Sequence, residues 1–557
     1  MGSHLTGGFP DRNRNTTTVL LLALLPVLAV ILFFVLPYSA SLWRAFGERG
    51  ETSVWENTAL LRITVFTFKQ ALCSVPVSLA LGLPGAWFLG TGRSAFTPIL
   101  RTLTAIPFAM PSILVVLGFV LFFGNSGWVN TALLAFNKTT NGANEAPLQI
   151  LYKPEAVILA HGFLNFPLVI RLVGDGLGRA KGAYAPVAAS LGASPIKTIF
   201  TVILPLTVPA ILSAALLVFL YCFTSFAIVL VLGGGPASTT LAVEIYRHAR
   251  IFLNYHSAGV LALIETLIAI SLFLTYVLLG KKSRSVRTDI HEWAMAGKES
   301  RLSRIFRYIY FTVMAFFILG PLLSIPVESL LYKPTRSAAQ LLSFRWWTNL
   351  GDTCLPALSR SLLLAFLSAT TACILAFLAS GSVKILEETS GNSTAAHLIR
   401  FFAAAPIVSS GIVMGLGWLI FYGRSFARTP AALVMLHAVT ALPFAFNFIS
   451  EGFRSLPANT MKAAAVFGAD PLRALLTTAL PLSLPRIRSA WGFAAALSMG
   501  EANAVIMLGM EGWETLPLYI YRAIGAYRYG TACAAGTLLI LGCAACFLLS
   551  EARKIHA

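Results

Sequence analysis

The sequence predicts an all-α protein that crosses a membrane about twelve times and consists of two parallel six-helix repeats. Three observations support this fold class: an apolar composition, twelve long apolar stretches and an internal repeat. Of the 557 residues, 57% are hydrophobic and only 11% are charged. Soluble domains carry about 25% charged residues, and single hydrophobic cores stop growing beyond roughly 250–300 residues. The composition therefore argues against a soluble enzyme, a disordered chain and a fibrous protein.

A helix that crosses the hydrocarbon core of a bilayer needs about 20 apolar residues. The first half of the chain contains six such stretches, Val19–Trp43, Leu60–Leu89, Leu103–Phe123, Ala156–Val173, Val208–Leu232 and Ala258–Leu279. The second half contains six more, Ile309–Val327, Leu362–Ala379, Phe402–Phe421, Ala431–Phe448, Ala490–Gly509 and Ala532–Leu549. The first stretch is long enough to span, so we do not expect it to be a cleaved signal peptide.

The basic residues predict the orientation of the chain in the membrane. There are 41 Lys and Arg residues against 22 Asp and Glu, and eight of the basic residues lie in the segment Lys281–Arg307. Since Lys and Arg are retained on the cytoplasmic side, we expect this segment and both termini to be cytoplasmic. This rule accounts for the positive charge, so no nucleic-acid partner is predicted, whereas membrane lipid is. The loop with Arg424 and Arg428 departs from the rule.

A repeat at a constant spacing divides the chain into two halves. Six residues recur 276 positions later: His161, Pro167, Gly192, Pro195, Pro205 and Pro209 as His437, Pro443, Gly468, Pro471, Pro481 and Pro485. An even number of spans in each half gives both halves the same orientation. The predicted organisation is an N-terminal tail (1–18), a first six-helix half (19–280), a basic linker (281–307), a second six-helix half (308–550) and a C-terminal tail (551–557).

A cytoplasmic segment between the fourth and fifth helices of each half predicts a helix, a sharp turn and a second helix. Small residues come first, and a glycine then suits the left-handed position that ends a helix. Ser194 or Asp470 follows as an N-cap, with Pro195 or Pro471 at the first position of the next helix. That helix runs to Leu204-Pro205 in the first copy and to Leu480-Pro481 in the second.

Both segments resemble the signature of ABC importer permease subunits, which reads EAA, three residues, Gly, nine residues and Ile-x-Leu-Pro. The spacing from glycine to proline is 13 residues in both copies, although the glutamate is absent and Val202 or Thr478 replaces the isoleucine. In that family the segment is the coupling helix, which docks in a groove of the ATPase subunit. The resemblance implies a type I ABC importer permease fold. It also implies a coupling role for Ala188, Gly192, Ser194, Pro195, Leu204, Pro205, Ala463, Ala464, Gly468, Asp470, Pro471, Leu480 and Pro481.

Two further stretches, Phe223–Arg247 and Leu497–Arg528, look like the fused two-half permeases of thiamine importers. The resemblance implies thiamine or a thiamine phosphate as cargo; ferric iron is the alternative, because ferric-iron permeases share the fused plan. It also implies a bacterial inner membrane, two copies of an ATPase subunit and a periplasmic or lipid-anchored binding protein. The sequence has no Gly-x4-Gly-Lys-Ser/Thr loop. We therefore expect no cofactor and no enzymatic site on this chain, with ATP and Mg bound by the partner ATPase.

Ionisable residues at membrane depth are functional candidates, because burying a charge there is costly. Glu501 is the first candidate for the translocation path, since a carboxylate suits a cationic cargo, and Glu265 is the second. The alternative for Glu501 is an acid near a helix end that a neighbouring group satisfies. The alternative for Glu265 is a structural residue that is paired or reaches the lipid headgroups. His161 and His437 recur at equivalent positions, which favours a role in helix packing over metal binding.

Two other classes of membrane protein compete with the ABC permease. Secondary transporters of the major-facilitator type also have two parallel six-helix halves, but they would be expected to carry a basic signature between helices two and three. Gly90-Thr91-Gly92-Arg93 is only a faint match to that signature. A channel is the third possibility, and the repeat gives it no specific support.

Overall fold

The computed structural model describes residues 22–47, 58–91, 110–140, 148–235, 238–284, 301–332, 341–390, 393–457, 460–509 and 512–551. The predicted N-terminal tail, residues 552–557 of the predicted C-terminal tail, most of the predicted linker and the first part of the third apolar stretch lie outside the described residues. Within the described ranges almost all of the chain is helical. This agrees with the predicted all-α membrane class.

Within these described ranges, ten helices are long and apolar enough to cross a membrane. We number the helices in the order of the twelve predicted stretches. Helices 1 to 6 are Leu22–Phe46, Ala59–Gly90, Ser112–Phe136, Pro154–Ser190, Pro195–Phe223 and Tyr255–Leu279. Helices 7, 8, 10 and 12 are Arg301–Ser329, Gly351–Glu388, Pro430–Arg454 and Tyr529–Leu548. Helix 4 extends well beyond its apolar stretch, because hydropathy marks where lipid contact ends and not where the helix ends.

Helix 9 is a bent pair rather than a straight span. Its two parts, Thr394–Val408 and Gly411–Phe421, meet at an angle of 103°. Ser409 and Ser410 between them are extended, and Ser410 caps the second part by accepting a hydrogen bond from the Val413 N–H at 3.2 Å. The predicted stretch Phe402–Phe421 therefore contains a break.

The predicted eleventh stretch, Ala490–Gly509, is wrong as a continuous span. Helix 11 is Leu480–Gly500, and after an extended Glu501 a separate short helix covers Asn503–Leu508. The predicted fifth stretch, Val208–Leu232, is interrupted in the same way, since helix 5 ends at Phe223 and a short helix covers Ala227–Leu232. Apolar composition continues across both breaks, so hydropathy alone does not reveal them.

The connections contain further short elements. Helix 3 itself has two helical parts, Ser112–Phe123 and Trp128–Thr140. The short helices of the connections are Leu241–Arg250, Arg345–Thr348, Gly423–Ala427, Thr460–Val466, Pro471–Ala474 and Leu516–Gly525. Two strands, Leu331–Tyr332 and Leu341–Leu342, pair antiparallel, with Leu331 opposite Leu342. The sequence did not predict this pair, because two-residue strands leave no alternating pattern to recognise.

The chain forms two compact units, and neither is a continuous segment. One unit contains residues 1–44, 350–522 and 537–557, so that helix 1 belongs with helices 8 to 11. In this unit the Phe33 and Trp418 rings stack at 5.9 Å, and Trp418 Nε1 donates to the Phe33 carbonyl at 3.1 Å. Because Gly417 has no side chain, the backbone of Pro37 can approach it closely. A Cβ at Gly417 would lie 2.2 Å from the Pro37 carbonyl oxygen.

The other unit contains residues 45–349 and 523–536, so that helix 7 belongs with helices 2 to 6. A cluster of buried side chains, Phe166, Ile170, Tyr310, Met314 and Ile318, joins helices 4 and 7. Tyr310 also donates its hydroxyl hydrogen to the Leu81 carbonyl of helix 2 at 2.7 Å. Each unit therefore combines the first helix of one sequence half with most of the helices of the other half.

Candidate functional site: two repeated turns and a broken helix

The first repeated turn follows helix 4 and has the geometry that its sequence predicts. Gly192 adopts φ +77°, and the Ala193 N–H donates back to the Ala188 carbonyl at 3.0 Å. Ser194 then caps the next helix, because its hydroxyl accepts from the Lys197 N–H at 3.4 Å. Pro195 is the first residue of that helix. One difference is that the small-residue segment Pro186–Leu191 is not a separate helix but the end of helix 4.

The second turn repeats this geometry in the other unit. Gly468 adopts φ +80°, and the Ala469 N–H donates to the Ala464 carbonyl at 3.1 Å. The Ala463 carbonyl accepts from the Phe467 N–H at 3.3 Å. The Asp470 carboxylate accepts from the Arg473 N–H at 2.8 Å. The predicted left-handed glycines and N-caps are thus confirmed in both copies.

The Leu-Pro pairs at the end of each signature follow a π-helical turn. The Leu204 N–H bonds to the Ile199 carbonyl and the Leu480 N–H to the Leu475 carbonyl, five residues back in both cases. Pro205 and Pro481 come next, and proline cannot donate a hydrogen bond to the helix. The π-helical turn therefore recurs at equivalent positions, directly before a proline that lacks a backbone N–H. In each copy, this same π-helical turn leads into the membrane-spanning helix.

Sequence reasoning missed two exposed apolar side chains at these turns. Leu191 is 82% exposed and Phe467 is 90% exposed, and they occupy equivalent positions directly before the two glycines. Ile196 and Val466 add exposed apolar surface at 70% and 71%. The sequence does contain a signal for these side chains, because a large apolar residue occupies the same position in both copies. Exposed apolar patches of this kind mark contact surfaces.

The predicted path residue Glu501 lies at the break after helix 11. Its carboxylate accepts a hydrogen bond from the Ala504 N–H at 3.0 Å, in the first turn of the short helix Asn503–Leu508. A Cβ at Gly411, the first residue of the second part of helix 9, would lie 3.1 Å from Glu501 Oε1. The carboxylate therefore stands at the N-termini of two helices, where a negative charge is favoured.

The other ionisable candidates are buried within helices. Glu265 lies in helix 6 and is 1% exposed. It belongs to a different compact unit from Glu501, and its predicted role in the path stays a prediction. His161 Nδ1 lies 3.3 Å from the Ser74 hydroxyl, and His437 Nδ1 lies 2.8 Å from the Ser498 hydroxyl. Each histidine thus joins two helices, which fits the packing role expected for the pair.

Comparison with known proteins places this architecture in a family. The family model described as "Binding-protein-dependent transport system inner membrane component" matches the chain twice, at residues 82–285 and 389–552. Each match lies almost entirely within one predicted half and includes the turn of that half. Together they cover more than half of the chain.

Several similar proteins are thiamine transport system permease proteins named ThiP. The ThiP of Brucella suis biovar 1 (strain 1330) is 28% identical over 503 residues, which cover 89% of this chain and 88% of that protein. The ThiP of Haemophilus influenzae (strain ATCC 51907 / DSM 11121 / KW20 / Rd) is 27% identical over 529 residues, 93% of this chain and 94% of its own. The spermidine/putrescine transport system permease protein PotB of Salmonella typhimurium (strain SL1344) is 27% identical over 37% of this chain and 74% of its own.

A solved structure of the MetNI methionine ABC transporter in an inward-facing conformation aligns with 42% of this chain, at 18% identity and a TM-score of 0.30. That score is too low for a comparison of folds, so the family assignment depends on the sequence matches. These cover both halves and nearly the whole length of the relatives. The chain therefore belongs to the family of binding-protein-dependent transport system inner membrane components, the permease subunits of ABC importers.

Proposed function

We propose that the two repeated turns are the coupling elements of this permease and that each receives one copy of a partner ATPase subunit. The observation that carries the proposal is the duplicated surface. In both copies a left-handed glycine presents an exposed apolar side chain, Leu191 or Phe467, at the tip of a helix–turn–helix. The near-identical geometry of the two turns supports two copies of one ATPase rather than two different subunits.

ATP binding would close the ATPase pair and move both turns, and the attached helices would open the path outward. Helix 4 ends at the first turn and helix 5 begins directly after it. Helix 11 follows the second turn. A periplasmic or lipid-anchored binding protein would deliver cargo on the outer side, and hydrolysis would reset the path. Both termini and the basic linker would be cytoplasmic in the bacterial inner membrane.

We propose thiamine or a thiamine phosphate as the cargo. The support is the similarity to several ThiP proteins along about nine-tenths of the chain. The Glu501 carboxylate, at the break between two helix segments, offers a negative charge that suits the cationic thiazolium ring of thiamine. Discontinuous helices are also where membrane transporters commonly place their substrate sites.

The coupling proposal is tested by substituting both turn glycines with proline. Proline fixes φ near −65°, which is incompatible with the observed +77° and +80°. We expect the double variant Gly192→Pro, Gly468→Pro to lose copurification with the ATPase. Gly182→Ala, in helix 4 with no neighbouring atom within 4 Å of the added Cβ, is the matched control and should retain the ATPase. Retention by the double variant would refute the coupling role.

The cargo proposal is tested by uptake in cells whose own thiamine importer and ferric-iron importer have both been deleted. Restored thiamine uptake on expression of this chain with its ATPase and binding protein is the expected result. If thiamine uptake stays absent while ferric-iron uptake is restored, the cargo assignment is wrong even though the coupling proposal stands.

A further inference from the structure

Each compact unit contains buried polar atoms that have no hydrogen-bond partner among the described residues. Among them are Gln70 Oε1, His161 Nε2 and Thr240 Oγ1 in one unit and Ser368 Oγ, His437 Nε2 and Thr515 Oγ1 in the other. All six side chains are at most 2% exposed. A buried polar atom left without a partner costs about 1–3 kcal/mol, so six of them require an explanation.

Four of the six unpaired atoms occur at equivalent positions of the two halves. His161 and His437 are repeat positions, and so are Thr240 and Thr515. Ser368 of helix 8 corresponds to Ser74 of helix 2, which contacts His161. A duplicated contact aligns helix 2 with helix 8. The Leu241 N–H donates to the Thr67 hydroxyl of helix 2 at 3.0 Å, and the Leu516 N–H donates to the Ser361 hydroxyl of helix 8 at 2.8 Å. Ser74 and Ser368 each lie seven residues after those hydroxyls.

The unpaired atoms of one unit belong to a row of buried polar side chains that we call the first seam. The first seam consists of Thr67, Gln70 and Ser74 on helix 2, His161 on helix 4, and Thr240. The helix 2 residues are three and four positions apart, so they lie on one face over about 10 Å. Gln70 Nε2 donates to the Cys222 carbonyl of helix 5 at 2.8 Å. The first seam therefore runs between helices 2, 4 and 5 and ends at the short helix Leu241–Arg250.

The second seam consists of Ser361 and Ser368 on helix 8, His437 on helix 10, Ser498 on helix 11 and Thr515. Here the histidine bonds to helix 11, at 2.8 Å, instead of to the helix that corresponds to helix 2. Ser498 occupies the repeat position of Cys222. The second seam thus joins helices 8, 10 and 11, the counterparts of helices 2, 4 and 5, and ends at the short helix Leu516–Gly525.

We propose that each seam is a binding site for ordered water molecules. The hydroxyl and imidazole groups can both donate and accept hydrogen bonds, and the amide oxygen of Gln70 accepts them. None of the groups that form the seams is a carboxylate, an ammonium or a guanidinium, so their chemistry suits a neutral ligand rather than an ion. A buried water typically makes about three hydrogen bonds to polar groups that otherwise lack partners.

Bound water at these positions has a mechanical consequence. The seams lie along the helices that lead into the two turns, and a water molecule can exchange partners when neighbouring helices shift. Direct side-chain bonds would have to break instead. This inference goes beyond the proposed function and does not depend on it, because bound water would be present whatever the cargo or the ATPase.

The test uses the unmodified full-length chain in lipid nanodiscs and hydroxyl radicals generated in place from water by an X-ray pulse, with oxidation read by mass spectrometry. Cys222 belongs to helix 5 at the first seam, and Cys533 of helix 12 lies outside both seams; each is 0% exposed. We expect Cys222 to be oxidised faster than Cys533, because bound water lies beside it. Equal rates would mean that the first seam is dry and would overturn the proposal.

A second measurement uses the near-isosteric variants Thr240→Val and Thr515→Val. The Thr240 hydroxyl caps no helix, so valine removes only the unpaired group. If water is bound, each variant loses a hydrogen bond and the melting temperature falls. An unchanged or higher melting temperature would contradict the proposal. Thr275→Val, at an exposed hydroxyl that bonds the Ser271 carbonyl of helix 6, is the control for the threonine-to-valine change itself. Thiamine uptake, measured separately, decides the proposed function.

Discussion

The turn glycines show what the sequence predicts well at the scale of single residues. Gly192 and Gly468 were expected in the left-handed region, and both are there, at +77° and +80°. Ser194 and Asp470 were expected as N-caps, and both accept a backbone N–H three residues on. These features depend on the chemistry of three or four consecutive residues, so they can be predicted without knowing how the helices pack.

A β-branched residue at these glycines should disrupt coupling. A left-handed backbone costs about 1–2 kcal/mol for a residue with a Cβ, so Gly192→Val should distort the turn. Gly192→Asn should be tolerated, since asparagine visits that region. We expect ATP-dependent uptake to fall in the valine variant and to be retained in the asparagine variant. Equal uptake in both would show that the turn geometry does not matter for transport.

Glu501 shows where residue-level prediction failed. The apolar pattern placed it inside a continuous span, whereas it follows the end of helix 11 and caps a new helix. One extended residue changes neither the composition nor the periodicity of the stretch. The break depends on local hydrogen bonds and on Gly411 of another helix, which the sequence does not bring into view.

The variant Glu501→Gln separates the charge of this residue from its capping role. Glutamine keeps a side-chain oxygen that can accept the Ala504 N–H, so the fold should be retained. If the negative charge attracts cationic cargo, thiamine uptake should fall while the melting temperature stays close to that of the unmodified protein. Full uptake in this variant would reduce Glu501 to a helix cap. Glu501→Lys should be more severe, because it also places a cation at helix N-termini.

At the scale of elements, each short helix that precedes the last span of a half is anchored to a buried hydroxyl. Leu241 donates to Thr67 and Leu516 donates to Ser361. Replacing the acceptor leaves a buried N–H unpaired, which costs about 1–3 kcal/mol. Thr67→Val should therefore lower the melting temperature, and Thr67→Ser should not. If valine is harmless, the contact has no structural importance.

The exposed apolar residues of the turns provide a second prediction for elements. Leu191→Ser and Phe467→Ser should weaken ATPase association without lowering stability, since both side chains are more than four-fifths exposed. Leu302→Ser is the control, because Leu302 is 77% exposed at the start of helix 7 and lies outside both turns. Binding assays on the purified complex would decide. Undiminished affinity in the double variant Leu191→Ser, Phe467→Ser would count against the docking surface.

At the scale of the whole molecule, the all-α membrane class and the two-half plan could be predicted, but the grouping of helices could not. Helix 1 belongs to the unit with helices 8 to 11, and helix 7 to the unit with helices 2 to 6. Apolar composition tells whether a helix can face lipid, but it does not identify the neighbours of that helix. The repeat predicts the order of helices along the chain, whereas packing depends on contacts such as Phe33 with Trp418.

We propose that the chain does not energise transport itself but receives work from a separate ATPase through its two turns. The most direct test is reconstitution in proteoliposomes, with the purified chain alone or with its ATPase, and with the binding protein and labelled thiamine. We predict transport only when both the ATPase and ATP are present, and no transport in the Gly192→Pro, Gly468→Pro variant. Accumulation by the chain alone, driven by an ion gradient, would contradict the claim.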